Sequence, residues 1–133
     1  MAKRKDILNE LKFSLENLGL FKDIYIGKAP EPNQIQNFPA CAIVFDDEIR
    51  DDKEIYSNCY TKYLHIDILL YNKQKNVKYY EDVLSDIIEQ VDEELFNFTT
   101  QDVFDSFVFK IENSKGLILP YQVALLKLRV KYI

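Results

Sequence analysis

The sequence contains few of the residues on which common catalytic and cofactor sites depend. Its 133 residues include only three glycines, two cysteines and one histidine. The three dispersed glycines, Gly19, Gly27 and Gly116, exclude a glycine-rich phosphate-binding loop, and neither GxGxxG nor GxxxxGK[ST] occurs. Cys41 and Cys59 are too few for a disulfide framework, and one histidine leaves little for a His-rich metal site. Dinucleotide and nucleoside-triphosphate chemistry is therefore excluded, and no catalytic signature is present.

The sequence also lacks a long apolar run and an excess of basic charge. No stretch approaches the roughly 18 apolar residues of a membrane span, and Asp6, Asn9 and Glu10 interrupt what would be a signal peptide's apolar core. The 17 basic and 22 acidic residues give a formal net charge of −5, whereas a general nucleic-acid binder has a basic footprint. We expect an intracellular protein without a membrane segment, in which the cysteines are thiols.

Apolar residues are abundant enough to build one core. Hydrophobic residues make up 47% and aromatic residues 14% of the chain, which is typical of a folded domain. A domain of about this length buries roughly two-thirds of its unfolded surface. We therefore expect a single domain over residues 1–133 that needs neither disulfides nor metal to fold.

Two segments have the periodicity of amphipathic helices. Residues 5–18 place their apolar side chains within an arc of about 100°, and Gly19 provides a C-terminal stop. Residues 77–96 place theirs within about 140°, which is wide enough to cover a sheet. The opposite side of this second helix carries acidic residues, namely Asp82, Asp86, Glu89 and Glu93.

The first half of the chain also contains two predicted strands. Residues 24–26 predict a short strand, and residues 40–45 are apolar at every position, which indicates a strand buried on both faces. The next segment, residues 46–54, contains six acids and two bases. We predict that it is an acidic loop between strands.

Later segments alternate as half-buried strands do. Residues 63–71 place Leu64, Ile66, Ile68 and Leu70 on one face. Residues 107–111 place Phe107, Phe109 and Ile111 on one side. In residues 121–133, apolar side chains face one way and three bases, Lys127, Arg129 and Lys131, face the other. Gly116 and Pro120 frame a turn before this last strand.

The order of elements predicts the fold class. Two helices with one apolar stripe each need a sheet to cover, and the strands supply apolar faces. We predict an α+β domain, with a mostly antiparallel sheet of four to five strands and both helices packed on one face.

Two constellations could carry chemistry. Cys41 or Cys59 with His65 could form a nucleophile–base pair, but Cys41 lies in an apolar run, where a cysteine is usually a small buried hydrophobe. Asp46, Asp47, Asp51 and Asp52 could hold a cation. However, no glycine interrupts this run and adjacent carboxylates on an extended chain point apart, so a solvated loop is the simpler interpretation.

The charged faces admit several interpretations. The row Lys127, Arg129 and Lys131 could protect an edge strand from aggregation, pair with acids of a neighbouring subunit, or face passing DNA without reading its sequence. The acidic side of the second helix could be screened by solvent or relieved by a basic partner. Charge patterns alone do not choose among these.

Taken together, the elements resemble the small tail terminator (tail completion) proteins of long-tailed bacteriophages and prophages. The resemblance rests on the helix at 7–18, the strand entry at 37–40, the strand at 63–71, the helix at 80–95 and the closing strand after Gly116 and Pro120. It is architectural, and Pro30 and Pro32 lengthen the loop before the core strand relative to the family.

This resemblance implies a structural virion protein rather than an enzyme. Such subunits assemble as a ring, usually a hexamer, that caps the tail tube, stops its polymerisation and presents a surface to the head-completion proteins while double-stranded DNA passes. The expected location is the virion tail or neck, and the host cytoplasm during assembly. The family has no catalytic residues and no cofactor.

Separate acidic and basic faces fit the heterologous contacts of a ring. The interface candidates are Lys127, Arg129, Lys131, Asp82, Asp86, Glu89, Glu93, Asp46, Asp47, Asp51 and Asp52. Other interpretations are a neck connector or adaptor protein of the virion, a cellular interaction module that dimerises through a sheet edge, and a metal-dependent hydrolase using the acidic loop.

Overall fold

The computed structural model describes residues 4–56, 59–73, 83–99, 103–113 and 121–132. These residues form two helices and five strands. In chain order they are α1 (Arg4–Asn17), β1 (Asp23–Ile26), β2 (Ala40–Tyr56), β3 (Cys59–Lys73), α2 (Val83–Phe96), β4 (Val103–Asn113) and β5 (Tyr121–Tyr132), with a short 3-10 helix at Pro32–Gln34.

Helix α1 follows the predicted apolar stripe and ends where glycine permits it. Its buried side chains are Ile7, Leu11 and Leu15. Gly19 adopts a φ of +69°, and its amide donates a hydrogen bond to the carbonyl of Glu16 (3.1 Å). This left-handed residue closes the helix, as the sequence predicted.

Helix α2 also buries the predicted stripe and is anchored at its C-terminal end by a strand. Leu84, Ile87, Val91 and Leu95 are buried. The hydroxyl of Ser106 in β4 lies 2.5 Å from the carbonyl oxygen of Leu95 and 2.8 Å from that of Phe98. A serine buried in the core thus supplies the donor that the helix end lacks. The predicted residues 77–82, which include Asp82, and the predicted turn at Gly116 and Pro120 lie outside the described residues.

The five strands form one sheet in the order β1-β2-β3-β5-β4. The pair β1–β2 is parallel, and the other three pairs are antiparallel. Because α2 carries the chain across from β3 to β4, β5 returns between them and is hydrogen-bonded on both sides. The closing strand is therefore an interior strand.

Both helices pack on the same side of this sheet, which confirms the predicted α+β class. The core joins the buried stripes of α1 and α2 to alternating residues of β2, β3 and β5. These sheet residues are Cys41, Ile43, Leu64, Ile66, Ile68, Leu70, Ala124, Leu126, Leu128, Val130 and Tyr132. The predicted alternation of β3 and of the closing strand is correct.

Among the described residues, the opposite side of the sheet is covered at one end. There Ile35, with the partly buried Phe38, packs on Ala40, Ala42 and Tyr71. The Tyr71 hydroxyl donates to the carbonyl of Pro30 (2.9 Å), and burial raises the pKa of this phenol to about 12. The first residues of β2 are therefore buried on both faces, as predicted.

The acidic segment 46–54 is not a loop, as the sequence analysis had predicted, but part of β2. A bulge between Phe45 and Asp47 shifts the register, after which Asp47 pairs with His65 and Ile49 with Tyr63. The alternating strand β3 supplies pairing partners for residues 47–51 of this segment, and such tertiary pairing overrides the low strand propensity of acidic residues. Beyond Lys62, the partner of Tyr132, the strands β2 and β3 extend past the end of β5.

The prediction that Phe107, Phe109 and Ile111 lie on one side of β4 is wrong, because a bulge interrupts this strand as well. The register shifts between Val108 and Lys110, so that Phe107 lies opposite Arg129 whereas Ile111 lies opposite Leu126. Residues directly opposite each other share a face. Ile111 is therefore on the helix side of the sheet and does not share a face with Phe107.

We expect α1 to depend on its buried stripe and not on its exposed apolar residues. Leu11 is fully buried, whereas Phe13 on the same helix is 61% exposed. Leu11→Ala should lower the free energy of unfolding by about 2–5 kcal/mol, and Phe13→Ala should change it by no more than about 0.5 kcal/mol. Urea denaturation measures both, and equal losses would contradict the packing of α1 on the sheet.

Candidate interaction surface

The uncovered end of the helix-free side of the sheet, here called the open face, is built from rows of paired residues. One row runs Asp47, His65, Arg129, Phe107 across β2, β3, β5 and β4, and the next runs Ile49, Tyr63, Lys131, Asp105. A third row places Asp67 beside Lys127. Paired side chains on one face lie about 4.5–5.5 Å apart at Cβ. Strand pairing thus gathers bases and aromatic rings from β3, β4 and β5 on one face, together with acids from β2, β3 and β4.

Arg129 lies at the centre of this surface. Its guanidinium carbon is 4.1 Å from the ring centroid of Tyr63 and 5.9 Å from that of Phe107, and Lys131 Nζ is 5.9 Å from the same Tyr63 ring. Cation–π contact holds a guanidinium in place without using its N–H donors, which suit a carboxylate or phosphate ligand. Arginine and tyrosine together are typical of interface hot spots.

The predicted basic row is confirmed as a row, but its interpretation as protection of an edge is wrong. Lys127, Arg129 and Lys131 share the open face, and β5, which carries them, has a hydrogen-bonded strand on each side. A strand without a free edge has no exposed ladder to protect. Contact with an acidic partner and contact with DNA are the interpretations that this placement leaves.

A shallow cavity of about 380 Å³ opens beside Arg129. Its lining consists of Ile49, Arg50, Tyr63, His65 and Arg129. Ile49 is 52% exposed. This depression brings together a large aliphatic side chain, an aromatic ring and a fixed guanidinium. Such a combination suits a partner that has both apolar and acidic groups.

His65 contacts an acid, not a cysteine. Its Nδ1 lies 2.5 Å from Asp47 Oδ1, and its ring centroid is 5.4 Å from that of Phe109. Cys41 lies on the other side of the sheet in the helix-covered core, where burial raises the pKa of its thiol. Cys41 is therefore a buried core residue, as its apolar run indicates, and does not pair with His65, while the side chain of Cys59 lies outside the described residues.

The acidic residues of β2 do not converge. Within the described ranges, no group of three or more His, Cys, Asp or Glu side chains could hold a metal ion. Asp46 occupies the bulge and Asp47 is engaged with His65. The side chains of Asp51 and Asp52 lie outside the described part.

The second charged surface is the outer side of α2, on the far side of the sheet from Arg129. Its described residues include no base and five acids, so the helix carries a formal charge of −5. The acids are Asp86, Glu89, Asp92, Glu93 and Glu94. No basic residue stands in the last turn, where the helix dipole is negative and acids are unfavourable. Glu94 accepts a hydrogen bond from the Ser14 hydroxyl of α1 (2.6 Å).

Part of each surface could be predicted from sequence. The predicted residues are Asp86, Glu89 and Glu93 on the helix and the three bases on β5, and these two sets lie on opposite sides of the sheet. The positions of Tyr63, Phe107 and Ile49 next to Arg129 were not predicted. Their alternation was visible, but their proximity depends on the pairing of β3, β5 and β4 and on two bulges.

The carboxyls of Asp67 and Glu48 have pKa values shifted in opposite directions. Burial raises the pKa of Asp67, and the charge of Asp46 adds to the rise, whereas Lys127, with its Nζ 4.0 Å away, acts against it. Burial also acts to raise the pKa of Glu48. Hydrogen bonds to this carboxylate from Tyr132 and Arg50 outweigh that effect, so its pKa lies below the usual value.

Comparison with known proteins adds no assignment. Neither the protein-family models nor the curated protein sequences give a match to this chain. Among the helices that the structure describes, none combines the length and apolar character needed to cross a membrane. The function must therefore be argued from the two charged surfaces themselves.

The opposite pKa shifts predict opposite effects of neutralisation. Asp67 has a higher pKa when folded, so its ionisation costs stability as the pH rises through that value. Asp67→Asn should therefore raise the free energy of unfolding at pH 7, and the gain should vanish near about pH 3, below the unfolded pKa. Glu48 has a lower pKa when folded, so its charge contributes stability that is lost on acidification. Glu48→Gln should be destabilising at pH 7 and less so near about pH 3.

Urea denaturation of both variants and the parent protein at the two pH values gives these differences directly. Glu48→Gln acts as the control for Asp67→Asn, because each replaces a carboxyl by its amide. Changes of the same sign at pH 7 would contradict the assignment.

Proposed function

We propose that this protein is a structural subunit that assembles into a ring, with the role of a tail terminator in a long-tailed bacteriophage or prophage. The observation that carries the proposal is the placement of a row of three bases, with aromatic rings beside it, on one side of the sheet and of an acidic helix on the other. A catalytic centre would instead bring reactive groups together.

Opposite charges on opposite sides of a small domain favour head-to-tail association. The acidic side of one copy can meet the basic side of the next, whereas like sides repel each other. Such a contact joins two different patches, which makes it heterologous, and a heterologous contact closes into a ring when the rotation between copies allows. A hexamer of this kind would cap a tail tube of the same symmetry.

The rest of the proposed role follows from the architectural resemblance. The ring would stop polymerisation of the tail tube protein on one side and present a surface to a head-completion protein on the other, while DNA passes through its channel. The bases left outside subunit contacts would face that DNA through its backbone, without reading bases.

We expect a salt-sensitive oligomer that depends on the basic row. Native mass spectrometry at low ionic strength should show six copies of the 15.7 kDa chain, about 94 kDa. Replacing Lys127, Arg129 and Lys131 together by Glu should leave the folded monomer, because each side chain lies on the uncovered side of the sheet. Raising the salt concentration should shift the parent protein in the same direction, since exposed charges are screened.

A matched triple variant serves as the control. Lys5, Lys22 and Lys28 are exposed and lie outside the open face, and replacing them by Glu changes the net charge by the same amount. This control should assemble like the parent protein. An unchanged oligomer in the Lys127, Arg129 and Lys131 variant, or equal losses in both variants, would contradict a specific role for the basic row.

The competing enzyme hypothesis makes a separate prediction. A hydrolase using Asp46, Asp47, Asp51 and Asp52 would bind a divalent cation in its native state, and such binding raises the melting temperature. We expect millimolar Mg²⁺, Mn²⁺ or Ca²⁺ to leave the melting temperature of EDTA-treated protein unchanged within about 1 °C. A rise of several degrees, abolished by Asp47→Asn, would support the hydrolase instead.

A further inference from the structure

Three exposed residues of α2 form a stripe that points away from the core. Glu89, Glu93 and Phe96 are spaced i, i+4 and i+7, which places them on one side of a helix. The two glutamates are exposed, and Phe96 is 70% exposed at the last position of the helix. Two carboxylates followed by an aromatic ring are the features of an amphipathic helix that docks into a surface.

The open face has the complementary arrangement. Alternate residues of a strand are about 6.7 Å apart, and residues one turn apart on a helix are about 6 Å apart. Glu89 and Glu93 can therefore meet two successive bases of the row Lys127, Arg129 and Lys131. Apolar surface lies beside these bases at Phe107 and Phe109, which are 36% and 47% exposed, and it can receive Phe96.

We propose that α2 of one copy docks on the open face of the next copy, with Glu93 bound by Arg129. This rests on the proposed ring and specifies its subunit contact. Arg129 is the anchor because Tyr63 and Phe107 already hold its guanidinium, so little side-chain entropy is lost when it binds a carboxylate.

A second copy is the occupant that the charges favour. The described part of α2 has a formal charge of −5 with three acids near its negative end, so a basic neighbour relieves the repulsion among them. Arg129 of the same chain cannot supply this relief, because α2 and Arg129 lie on opposite sides of the same sheet. Each copy therefore offers one donor helix and one acceptor face.

Complementary charge reversal tests this contact directly. Arg129→Glu places two glutamates together at every subunit contact, and Glu93→Arg places two arginines together. Each variant alone should require at least about tenfold higher protein concentration to assemble, because like charges face each other. Mixed in equal amounts, the two variants can alternate around an even-numbered ring, where every contact is either the native pair or the reversed pair.

We expect assembly to be restored in the mixture, with equal numbers of the two variants per ring by native mass spectrometry. The double variant Arg129→Glu with Glu93→Arg should assemble on its own. Circular dichroism and thermal melting establish that each single variant is folded before the comparison. The matched controls are Glu10→Arg and Lys28→Glu, at exposed positions. Each of these variants should assemble by itself as the parent protein does.

Two results would contradict the proposed contact but not the proposal of a ring. Single variants that assemble like the parent protein would show that copies meet through other surfaces. Folded single variants that fail to assemble both alone and in the mixture would show that Arg129 and Glu93 do not face each other. A parent protein that stays monomeric at every concentration and at low salt would overturn the ring and the contact together.

Discussion

The insertion of β5 between β3 and β4 is the constraint on which the exposed surfaces depend. A strand with partners on both sides places alternate residues on two faces and leaves neither of its edges to solvent. One face of β5 completes the core under the helices. The other carries its three bases, beside rings from β3 and β4 and acids from β2, β3 and β4.

The two sides of the sheet consequently differ in what stabilises them. The helix side is held by buried aliphatic side chains whose contribution is proportional to the area removed from water. The open face is held by cation–π contacts and a histidine–aspartate pair, and it also carries the partly buried Asp67, whose ionisation is unfavourable. Groups of this second kind contribute little to folding in water and become more important when a partner excludes solvent.

Most of the fold could be predicted from the sequence because its periodicities are strong. The predictions that depend on local spacing were correct. They concern the stripes of α1 and α2, the alternation of β3 and the two faces of β5. The acidic segment was wrongly predicted as a loop, because its strand state depends on pairing with β3, which the composition of the segment itself does not reveal. The position of Ile111 was wrong because a bulge at a single residue reverses all faces beyond it.

The candidate surface was harder to predict for the same reason. The bases at Lys127, Arg129 and Lys131 follow from alternation within one strand, but the contact of Arg129 with Tyr63 and Phe107 depends on strand order. Nothing in local spacing distinguishes an interior β5 from an edge β5. That difference removes protection of an edge against aggregation as the explanation of the basic row.

The overhang of β2 and β3 beyond the end of β5 has a consequence for how the fold could diversify. Along residues 51–56, Asp51, Ile55 and Tyr56 pair with β3, and none of the described residues of β5 lies opposite this part of β3. Insertions or deletions there would leave the helices, the core and Arg129 undisturbed. This extension of β2 and β3 is therefore the segment in which variants of this domain could acquire different binding specificities while retaining the same scaffold.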